Sequence, residues 1–512
     1  MSVPNVSTTT ESAVDRRLQA AGVEVETAVA LMGCLIILGA DAQGLSLIPL
    51  VSSLEKTYSL SPGQASWVLS APGVVAAGCI PTFSRLGDRF GMRALVLASL
   101  VIAFFANLVC ALAPSFPLLV TGRAVLGMSA ALPLIYAILR ARGSSERRTT
   151  RGVALITLAS GVGVAVAYLL SGFIIQANGG VRDVLWALTI LSAITVLAAW
   201  WLLPDTPARS ADPIDWAGAA LVSVGLVGVV LAITEGSTWG WSSAPVLVSL
   251  IGGLAVLGLW VLLEMRRRYP LVNVRRVCNR VALPSFIVVA VTGTMAGYTN
   301  LAQSTYVQMP TVTGYGLGLT VLQSAYVLCA IAAGEIVGGT IAGGIISRHG
   351  PRRVMVIGCA VIAANFAVLA ASHNGVWHFA VWDFVWGFAF VFVYSAANAA
   401  FLADATPPEA AMYVSANTVV SSAAAGIGPA LFTAILTSRF IPHTPIPDPV
   451  VFTHMWVYAA VASVVIGAFA LLIRRPRYVP AAGPGGAAGA DQASGTPAAG
   501  GMEAAAGDPA TA

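Results

Sequence analysis

Long apolar segments separated by short polar turns run through almost the whole chain. Fourteen of these segments are long enough to cross a hydrocarbon layer of about 30 Å, which takes roughly 20 residues of α-helix. In chain order they are 27–51, 64–84, 94–113, 116–139, 152–176, 184–203, 214–234, 243–264, 281–306, 319–346, 353–372, 377–402, 410–437 and 453–473. The pattern predicts an all-α integral membrane protein with fourteen transmembrane helices, which we call spans 1 to 14.

One segment of the chain occurs twice, once in each half of the sequence. Gln64–Arg93 and Gln323–Arg352 each combine a span-length apolar stretch with a turn that carries glycine and arginine at the same internal spacing. The second copy begins 259 residues after the first, so spans 1–6 and spans 9–14 are predicted to be related halves, and spans 7 and 8 an inserted hairpin. Two related halves in a membrane are typical of secondary transporters, in which one half rocks against the other around a site near the middle of the bilayer.

Changes in composition divide the chain into five parts. Residues 1–26 are expected to be a retained cytoplasmic leader, because no small-residue cleavage site follows. Residues 27–203 form the first six-helix half, 204–280 a linker with the two extra spans, and 281–475 the second six-helix half. Residues 476–512 are rich in Pro, Gly and Ala and are expected to be a disordered cytoplasmic tail.

The distribution of basic residues predicts the orientation in the membrane. The chain has 27 Lys and Arg against 22 Asp and Glu. If the N-terminus is cytoplasmic, 23 of the 27 basic residues fall on the cytoplasmic side, and only Lys56, Arg182 and Arg439 on the other. This asymmetry follows the positive-inside rule, so we expect a multi-pass protein of the inner (cytoplasmic) membrane with both termini in the cytoplasm. The positive balance is then a topology signal, and no nucleic-acid partner is expected.

Composition and motifs argue against soluble and catalytic classes. Hydrophobic residues make up 57% of the chain, charged residues 10%, and the mean hydropathy is +0.83, which leaves no large soluble core. The six cysteines lack a CxxC pair, the five histidines are scattered without HExxH, and neither GxxxxGKS nor GxxxxGKT occurs. We therefore expect neither an enzyme nor a nucleotide-driven pump, and no metal or cofactor.

Three stretches resemble a known family of membrane transporters. Ser84–Arg93, SRLGDRFGMR, resembles the loop between helices 2 and 3 of the major facilitator superfamily, whose usual form is G-x-L-x-D-R-x-G-R-R. Leu263–Arg280 and Tyr306–Ala325 resemble the join before helix 9 and the external turn before helix 10 in its fourteen-helix drug:proton antiporter branch. The resemblance covers about residues 27–475 and implies a major facilitator fold, with two six-helix halves plus two inserted helices.

The turn motif is predicted to act as a conformational latch. Glycine permits a tight turn between helices, Asp88 can accept from amides at a helix N-terminus, and the arginines can bind carboxylates or carbonyl ends of a neighbouring helix. The candidates in the two copies are Leu86, Asp88, Arg89, Gly91, Arg93, Arg348, Gly350 and Arg352. Ser347 replaces the acidic position in the second copy, so its latch is expected to be weaker. The alternative is an ordinary basic turn that only connects two helices.

Four charged residues are predicted to lie within the hydrocarbon layer, namely Asp41, Arg123, Glu335 and Asp383 in spans 1, 4, 10 and 12. A charge there costs about 2.5–3.5 kcal/mol on insertion scales, so it persists mainly where it pairs or functions. The family resemblance implies that Asp41 and Arg123 lie close together and take part in proton coupling, with Glu335 and Asp383 as further candidates. A buried carboxyl can bind and release a proton as its surroundings alternate. The alternatives are a structural Asp41–Arg123 ion pair and carboxyls that serve only as hydrogen-bond donors.

Span 5 carries a set of small residues, GVGVAVAYLLSG, that resembles the antiporter signature G-x5-G-P-x2-G-G. Such residues allow span 5 to approach the opposite half closely. Gly161 and Gly172 match the signature, whereas Ala167 and Tyr168 replace its Gly-Pro pair. Tyr168 is therefore expected to project into the contact between the halves or into the cavity, and the direction of transport stays open. The alternative is a small-residue packing face unrelated to transport.

Polar and aromatic residues in spans 9 and 12 suit a cavity for large amphipathic or cationic organic solutes, with Tyr298, Gln303, Trp382 and Trp386 as candidate contacts. The resemblance implies a proton-coupled secondary transporter that exports drug-like or amphipathic organic compounds by alternating access. Its expected partners are a small organic substrate, protons and the lipid bilayer, and a monomer is expected. The alternatives are a proton-coupled transporter of one specific metabolite, by symport or export, and a transport-dead membrane sensor of the same fold.

Overall fold

The computed structural model describes residues 24–142, 146–206, 215–267, 270, 272, 274–277, 279, 282–402, 407–444 and 446–473. In this part of the chain fourteen helices are long and apolar enough to cross a membrane, so the predicted number of spans is confirmed. The only β pairing among these residues is one isolated bridge between Phe440 and Pro447. Most of the predicted leader and all of the predicted tail lie outside the described residues.

We number the membrane helices α1 to α14. The first half consists of α1 (Val25–Tyr58), α2 (Pro62–Phe90), α3 (Met92–Leu112), α4 (Phe116–Leu139), α5 (Glu146–Gln176) and α6 (Val181–Leu202). The hairpin consists of α7 (Trp216–Trp239) and α8 (Ala244–Arg266). The second half consists of α9 (Ala282–Gln308), α10 (Val321–His349), α11 (Pro351–Ala371), α12 (Val376–Leu402), α13 (Pro407–Leu436) and α14 (Val450–Leu472). Each predicted span coincides with one of these helices.

The internal repeat is visible in how α2 and α10 begin. Both helices have 29 residues. Before α2, the side chains of Ser61 and Gln64 bond to each other's backbone amides, and Thr320 and Gln323 do the same before α10. This reciprocal cap satisfies amides that a helix start leaves free, so the repeated sequence fixes the same start in both halves.

The same two helices end at glycines and thereby define two faces of the molecule. Gly91 ends α2 with φ 95°, and Gly350 ends α10 with φ 80°, a backbone conformation that favours glycine. We call the side that carries these two turns the Gly91 face. The opposite side, where α1 turns into α2 at Ser61, is the Ser61 face.

Two helices of the first half are interrupted. α1 is helical up to Leu45, forms a 3₁₀ turn at Ile48–Leu50 and resumes at Val51. Pro49 causes the break, because proline has no N–H and its ring excludes the carbonyl one turn earlier. α4 is interrupted after Leu126. Interrupted membrane helices expose backbone carbonyls that other groups must satisfy.

The inserted hairpin packs at the edge of the bundle. α7 and α8 meet through Gly225, Gly228 and Gly253, where an added Cβ would lie against the partner helix. α7 also packs on α2 and α13. α8 packs mainly on α7 and leaves Val248 and Ile251 exposed, as expected for a helix that faces lipid.

The two halves touch near the Ser61 face. Gln308 Nε2 at the end of α9 donates to the carbonyl of Pro49 in the α1 break, at 3.1 Å. Thr433 Oγ1 of α13 donates to the carbonyl of Pro62 at the start of α2, at 3.4 Å. At Gly172 of α5 an added Cβ would lie 2.9 Å from the α10 backbone. The halves are therefore in close contact on this side.

Toward the Gly91 face α5 and α10 separate. Leu155 and Leu158 of α5 are exposed. At Gly343 and Gly344 of α10 an added Cβ would meet no atom within 4 Å. The halves are thus in close contact at the Ser61 face, and we interpret the unpacked positions toward the Gly91 face as an opening between the halves.

Candidate functional site

Asp41 lies in α1 at the level where α5 and α10 begin to separate. Its Oδ2 accepts a hydrogen bond of 2.9 Å from Ser160 Oγ of α5. A Cβ at Gly163, about one turn further along α5, would stand 2.8 Å from the same oxygen. The Asp41 side chain is partly exposed. Small residues therefore bring α5 against the carboxyl while leaving it within reach of the opening.

Arg123 in α4 does not pair with Asp41, and this corrects the predicted ion pair. Its side chain is 1% exposed. Nε donates to the carbonyl of Val68 at 3.0 Å, and Nη1 donates to the carbonyl of Gln43 at 2.7 Å. No ion pair among the described residues includes Arg123. The guanidinium instead ties α4 to α2 and α1.

Neither of these carbonyls has a backbone partner in its own helix, because both helices are irregular at this point. In a regular helix the Val68 carbonyl accepts from the amide four residues later, but that residue is Pro72, which has no N–H. The Gln43 carbonyl belongs to the last turn before α1 breaks, where carbonyls lack helical partners. A guanidinium carries enough donors for both. Arg123 thus satisfies both carbonyls, and its predicted part in proton coupling stays a prediction.

Glu335 in α10 approaches the same opening from the second half. Its side chain is partly exposed and lies within electrostatic reach of Asp41. The preceding Gly334 fits against the carbonyl of Phe384 in α12, where an added Cβ would clash. α10 is thereby held against α12. Two carboxylates at close range repel each other, and a proton on one of them relieves the repulsion.

The remaining small residues of α5 lie along its contact with α10. Gly161 stands against Ile336, and Gly172 against Leu322. Ala167 is buried in the same stretch. The contact between α5 and α10 is thus a contact between the halves, formed where side chains are small.

Tyr168 is buried in the contact between the halves, away from the opening. Its hydroxyl oxygen accepts from Asn300 Nδ2 of α9 at 3.5 Å. Asn300 Oδ1 in turn accepts from Trp386 Nε1 of α12 at 3.3 Å. A polar chain therefore links α5 of the first half to two helices of the second.

Three of the four predicted cavity residues lie in the interior of the second half. Tyr298, Gln303 and Trp386 are buried, and only Trp382 is partly exposed. The Tyr298 hydroxyl donates to the carbonyl of Met455 in α14 at 3.4 Å. The prediction that Tyr298, Gln303 and Trp386 line an open cavity is wrong for this conformation. Aromatic and polar residues also satisfy one another inside a bundle, so their presence alone does not mark a cavity.

Asp383, the fourth predicted membrane charge, does not join the other acids at the opening. It is buried in α12 beside the Gln303 amide of α9. The Gln303 amide is the neighbouring side chain that approaches its carboxyl, although the geometry between the two falls short of a well-formed hydrogen bond. The predicted coupling set is therefore split into two partly exposed acids, one sealed acid and one arginine bonded to backbone.

The first predicted latch turn is held by Arg93 at the start of α3. Its Nη1 lies 2.6 Å from Asp205 Oδ1, and Nη2 donates to the carbonyl of Trp200 at the end of α6, at 3.1 Å. The Arg93 amide also donates to Thr206 Oγ1 at 3.2 Å. All these partners belong to the first half, so the contacts fix α3 to α6. These contacts lie within the first half, so the latch role predicted for Arg93 stays a prediction.

The other residues of this turn make fewer contacts. The Arg89 guanidinium lies over the Phe90 ring at 5.5 Å, and Leu86 is partly buried. The side chain of Asp88 lies outside the described part of the structure, so its predicted role stays a prediction.

The sequence patterns did not reveal three of the contacts. Ser160 holds Asp41, and Asp205 holds Arg93. Arg85 of α2 donates to the carbonyl of Pro270, in the segment that leads to α9. Asp205 follows span 6 directly, on the side predicted to carry most basic residues. An acidic residue at that position could have indicated an ion pair with one of them.

We expect Arg93→Ala to lower thermal stability more than Arg352→Ala. The two arginines are equivalent in the repeat, yet Arg352 has no ion pair among the residues whose positions are described. A partly exposed pair such as Arg93–Asp205 contributes about 1 kcal/mol or less. We therefore expect a small decrease in the unfolding temperature for Arg93→Ala and a smaller one for Arg352→Ala. Thermal unfolding of both variants in detergent measures this difference. Equal decreases in the unfolding temperature would show that the Arg93–Asp205 pair does not contribute to stability.

Known proteins share both sequence and fold with this chain. The family model described as Major Facilitator Superfamily matches residues 29–429 and 307–509. The Multidrug resistance protein B homolog of Mycobacterium tuberculosis is 27% identical over 331 residues, which are 63% of this chain and 60% of that protein. The Methyl viologen resistance protein SmvA of Salmonella typhimurium is 23% identical over 394 residues, 76% of this chain and 78% of that protein. The match thus spans about 60% of the length of the Mycobacterium relative.

Solved structures are similar at low sequence identity. The nucleoside transporter NupG has a TM-score of 0.62 and 16% identity, and the match covers 88% of this chain and 100% of that chain. The peptide transporter POT has a TM-score of 0.62 and 14% identity, with 89% and 95% covered. At such identities the likeness concerns the fold alone.

Proposed function

Because this chain belongs to the major facilitator superfamily, whose model matches most of its length, we propose that it is a proton-coupled secondary transporter that works by alternating access. Its substrates in this proposal are drug-like or amphipathic organic compounds, which it exports from the cytoplasm. The names of two relatives, for multidrug resistance and for methyl viologen resistance, support the substrate class.

The observation that carries the proposal is that Asp41 and Glu335 approach the same level of the α5–α10 contact from opposite halves. One carboxyl comes from each half, both are partly exposed, and they interact electrostatically. They stand where the contact between α5 and α10 gives way to the opening. If the halves rock about this level, the same carboxyls become reachable from the Ser61 face, as alternating access requires.

Protons and substrate compete for these carboxyls, and this competition couples the flow of protons to the movement of the substrate. While the opening faces the cytoplasm, a cationic or amphipathic substrate binds beside the carboxylates as they lose a proton. After the halves rock, protons from the other side neutralise the carboxylates and the substrate leaves. Because bound proton and bound substrate exclude each other, the inward flow of protons drives the substrate outward.

Tyr168 favours a second candidate, a proton-coupled transporter of one metabolite by symport or export. It occupies the place of the proline in the export signature and is fixed by a hydrogen bond to Asn300. Because the export signature is incomplete at this position, it does not favour a broad drug exporter over a transporter of one defined substrate. A transport assay with a panel of compounds separates the two candidates.

We propose that the Gly91 face lies in the cytoplasm of a cell with an inner membrane, and that one chain suffices, since both halves of the site come from it. In a background without native cysteines, Ser347→Cys should react with an impermeant reagent only from the cytoplasm. Val312→Cys, at a residue 91% exposed near the Ser61 face, should react only from outside. The reverse labelling would invert the proposed topology.

Uptake of methyl viologen into inside-out vesicles tests the function. Vesicles that contain the protein should accumulate the probe when their interior is acid, and collapse of the pH gradient should end accumulation. A gradient of one pH unit, about 1.4 kcal/mol, supports about tenfold accumulation for each coupled proton. Uptake of a single metabolite and of no cationic drug would favour the second candidate. The absence of any gradient-driven transport would contradict both.

A further inference from the structure

We infer that Asp383 and Gln303 form a second proton-binding site, which is closed off from the opening in this conformation and is reached from the Ser61 face when the halves separate there. The inference rests on the proposed proton-coupled function and adds a second coupled proton to it. The site lies between α9 and α12, inside the second half.

Four polar side-chain atoms, two of Asp383 and two of Gln303, are buried at one point between α9 and α12. Asp383 and Gln303 are both 0% exposed. The Asp383 carboxyl and the Gln303 amide face each other, but none of their four polar atoms forms a well-aligned hydrogen bond with another described residue. Buried polar atoms in folded proteins are nearly always paired. These four therefore form a set of donors and acceptors that a ligand can complete.

A proton completes this set. A protonated Asp383 carboxyl donates its O–H to Gln303 Oε1, and Gln303 Nε2 donates to the other carboxyl oxygen, so one proton pairs all four atoms. A calcium ion takes six to eight oxygen ligands. Asp383 and Gln303 offer three, and the nearby Asn300 Oδ1 already accepts from Trp386. The ligand set therefore favours a proton over a metal ion.

No basic side chain of the helices around the site is placed to balance an ionised Asp383. α9 has none, and those of α10, α11 and α12 stand at helix ends: Arg348, His349, Arg352, Arg353 and His378. Besides these basic groups, the helices packed against α12 carry the ionisable side chains Tyr298, Tyr306, Tyr326, Cys329, Glu335, Cys359 and Tyr413, and Tyr168 approaches from α5. Arg123 is bonded to carbonyls of the first half. An ionised carboxylate without a partner is costly at this depth, which leaves the proton as the counterpart.

Tyr168 connects the sealed site with the opening. It interacts electrostatically with both Asp383 and Glu335. α10 and α12 press together at Gly334 and Gly387, where an added Cβ would clash with the partner helix, so the two acids move as one body. Tyr168 belongs to α5 in the first half. Movement between the halves therefore changes the position of Tyr168 relative to Asp383 and Glu335 at the same time.

The contacts that close the site toward the Ser61 face are on the neighbouring turn of α9. Ser304, next to Gln303, donates through Oγ to the carbonyl of Ile48 at 3.5 Å. Gln308 donates to the carbonyl of Pro49 at 3.1 Å. Both carbonyls lie in the α1 break, across the contact between the halves. When these bonds separate, water reaches the turn that carries Gln303, and the site exchanges its proton with the outer side.

Infrared spectroscopy of the purified full-length protein tests the site without any substrate. At neutral pH the wild type should show the carbonyl band of a protonated carboxylic acid, which Asp383→Asn removes and Gln303→Leu shifts. Asn365→Leu is the matched control, because Asn365 is another buried amide without a hydrogen-bond partner among the described residues, and it should leave this band in place. In D₂O the band should change slowly, and Ser304→Ala combined with Gln308→Ala should speed the change. A spectrum that Asp383→Asn leaves unaltered would overturn the site.

Counting protons separates this inference from the proposed function. In vesicles of the purified protein with methyl viologen as the probe, Asp383→Asn should move one proton fewer per probe molecule than the wild type. An unchanged ratio would overturn the inference and leave coupling at Asp41 intact. A wild type that moves the probe without protons would overturn the proposed function, whatever the infrared band shows. Transport that requires sodium would replace the proton with a metal ion and overturn the assignment.

Discussion

Asp41→Asn is expected to abolish the accumulation that proton binding at Asp41 drives and to leave downhill movement of the substrate. Asparagine keeps the shape of the side chain and can still accept from Ser160 Oγ, but it cannot carry a proton. The wild type should gain about tenfold accumulation per pH unit for each coupled proton, and the variant should gain none from this site. Gradient-driven uptake and exchange of labelled methyl viologen, measured in the same vesicles, separate coupling from movement.

Glu235→Gln is the matched control for this experiment. Glu235 is an acidic residue of α7, in the hairpin and outside the site, so its variant should accumulate the probe as the wild type does. Glu335→Gln should weaken coupling, because Glu335 and Asp41 interact across the opening. Full pH-driven accumulation by Asp41→Asn would move proton coupling to Glu335 or Asp383.

Arg123→Ala is expected to destabilise the fold strongly. The change leaves the carbonyls of Val68 and Gln43 without the donors that they have in the structure. An unsatisfied buried acceptor costs about 1–3 kcal/mol, so the loss should be roughly 2–6 kcal/mol, with further loss from the vacated volume. Thermal unfolding of the purified protein in detergent measures it.

A double-mutant cycle with Pro72→Ala identifies the cause. Alanine at position 72 supplies the amide that the Val68 carbonyl lacks, so Arg123→Ala should cost less in this background than in the wild type. Arg123→Lys should fall between wild type and Arg123→Ala, since one ammonium replaces the fork of the guanidinium. Additive effects of the two changes would contradict the account of Arg123 as a partner of the carbonyl freed by Pro72.

The fold was predictable because its signals are local. Each span is a continuous apolar segment of a length set by the hydrocarbon layer, and that length needs no knowledge of the neighbours. The repeat could also be predicted from the sequence, because both copies begin with a short-range helix cap. Ser61 pairs with Gln64 in the first copy, and Thr320 pairs with Gln323 in the second. Gly91 and Gly350 then close both helices with the same backbone conformation.

The site was predicted only in part because its partners depend on packing. Asp41 and Glu335 were singled out as charges in apolar spans, and the structure places both at the opening. The partner of Arg123 was assigned by family resemblance, which missed the effect of Pro72 on a backbone carbonyl. That effect was available in the sequence, because a proline within a helix always frees the carbonyl four residues before it.

The residues around Asp383 show a feature that the sequence pattern does not determine, namely whether a side chain faces a cavity or the interior of the bundle. Tyr298, Gln303 and Trp386 have the composition of a binding cavity, yet in the structure they are buried within the second half. The same side chains line a cavity or fill a core according to the rotation of α9 and α12, which spacing along the chain does not determine. Tyr168 was expected either in the contact between the halves or in the cavity, and the structure places it in the contact.

Proton movement that depends on substrate, measured with the purified protein in lipid vesicles, tests the central claim most directly. Vesicles loaded with methyl viologen and a pH-sensitive dye should take up protons as the probe leaves, and vesicles with Asp41→Asn should take up at least one proton fewer for each probe molecule released. Protons that leave together with the probe, or a wild type that releases the probe with no proton movement, would contradict proton-coupled export.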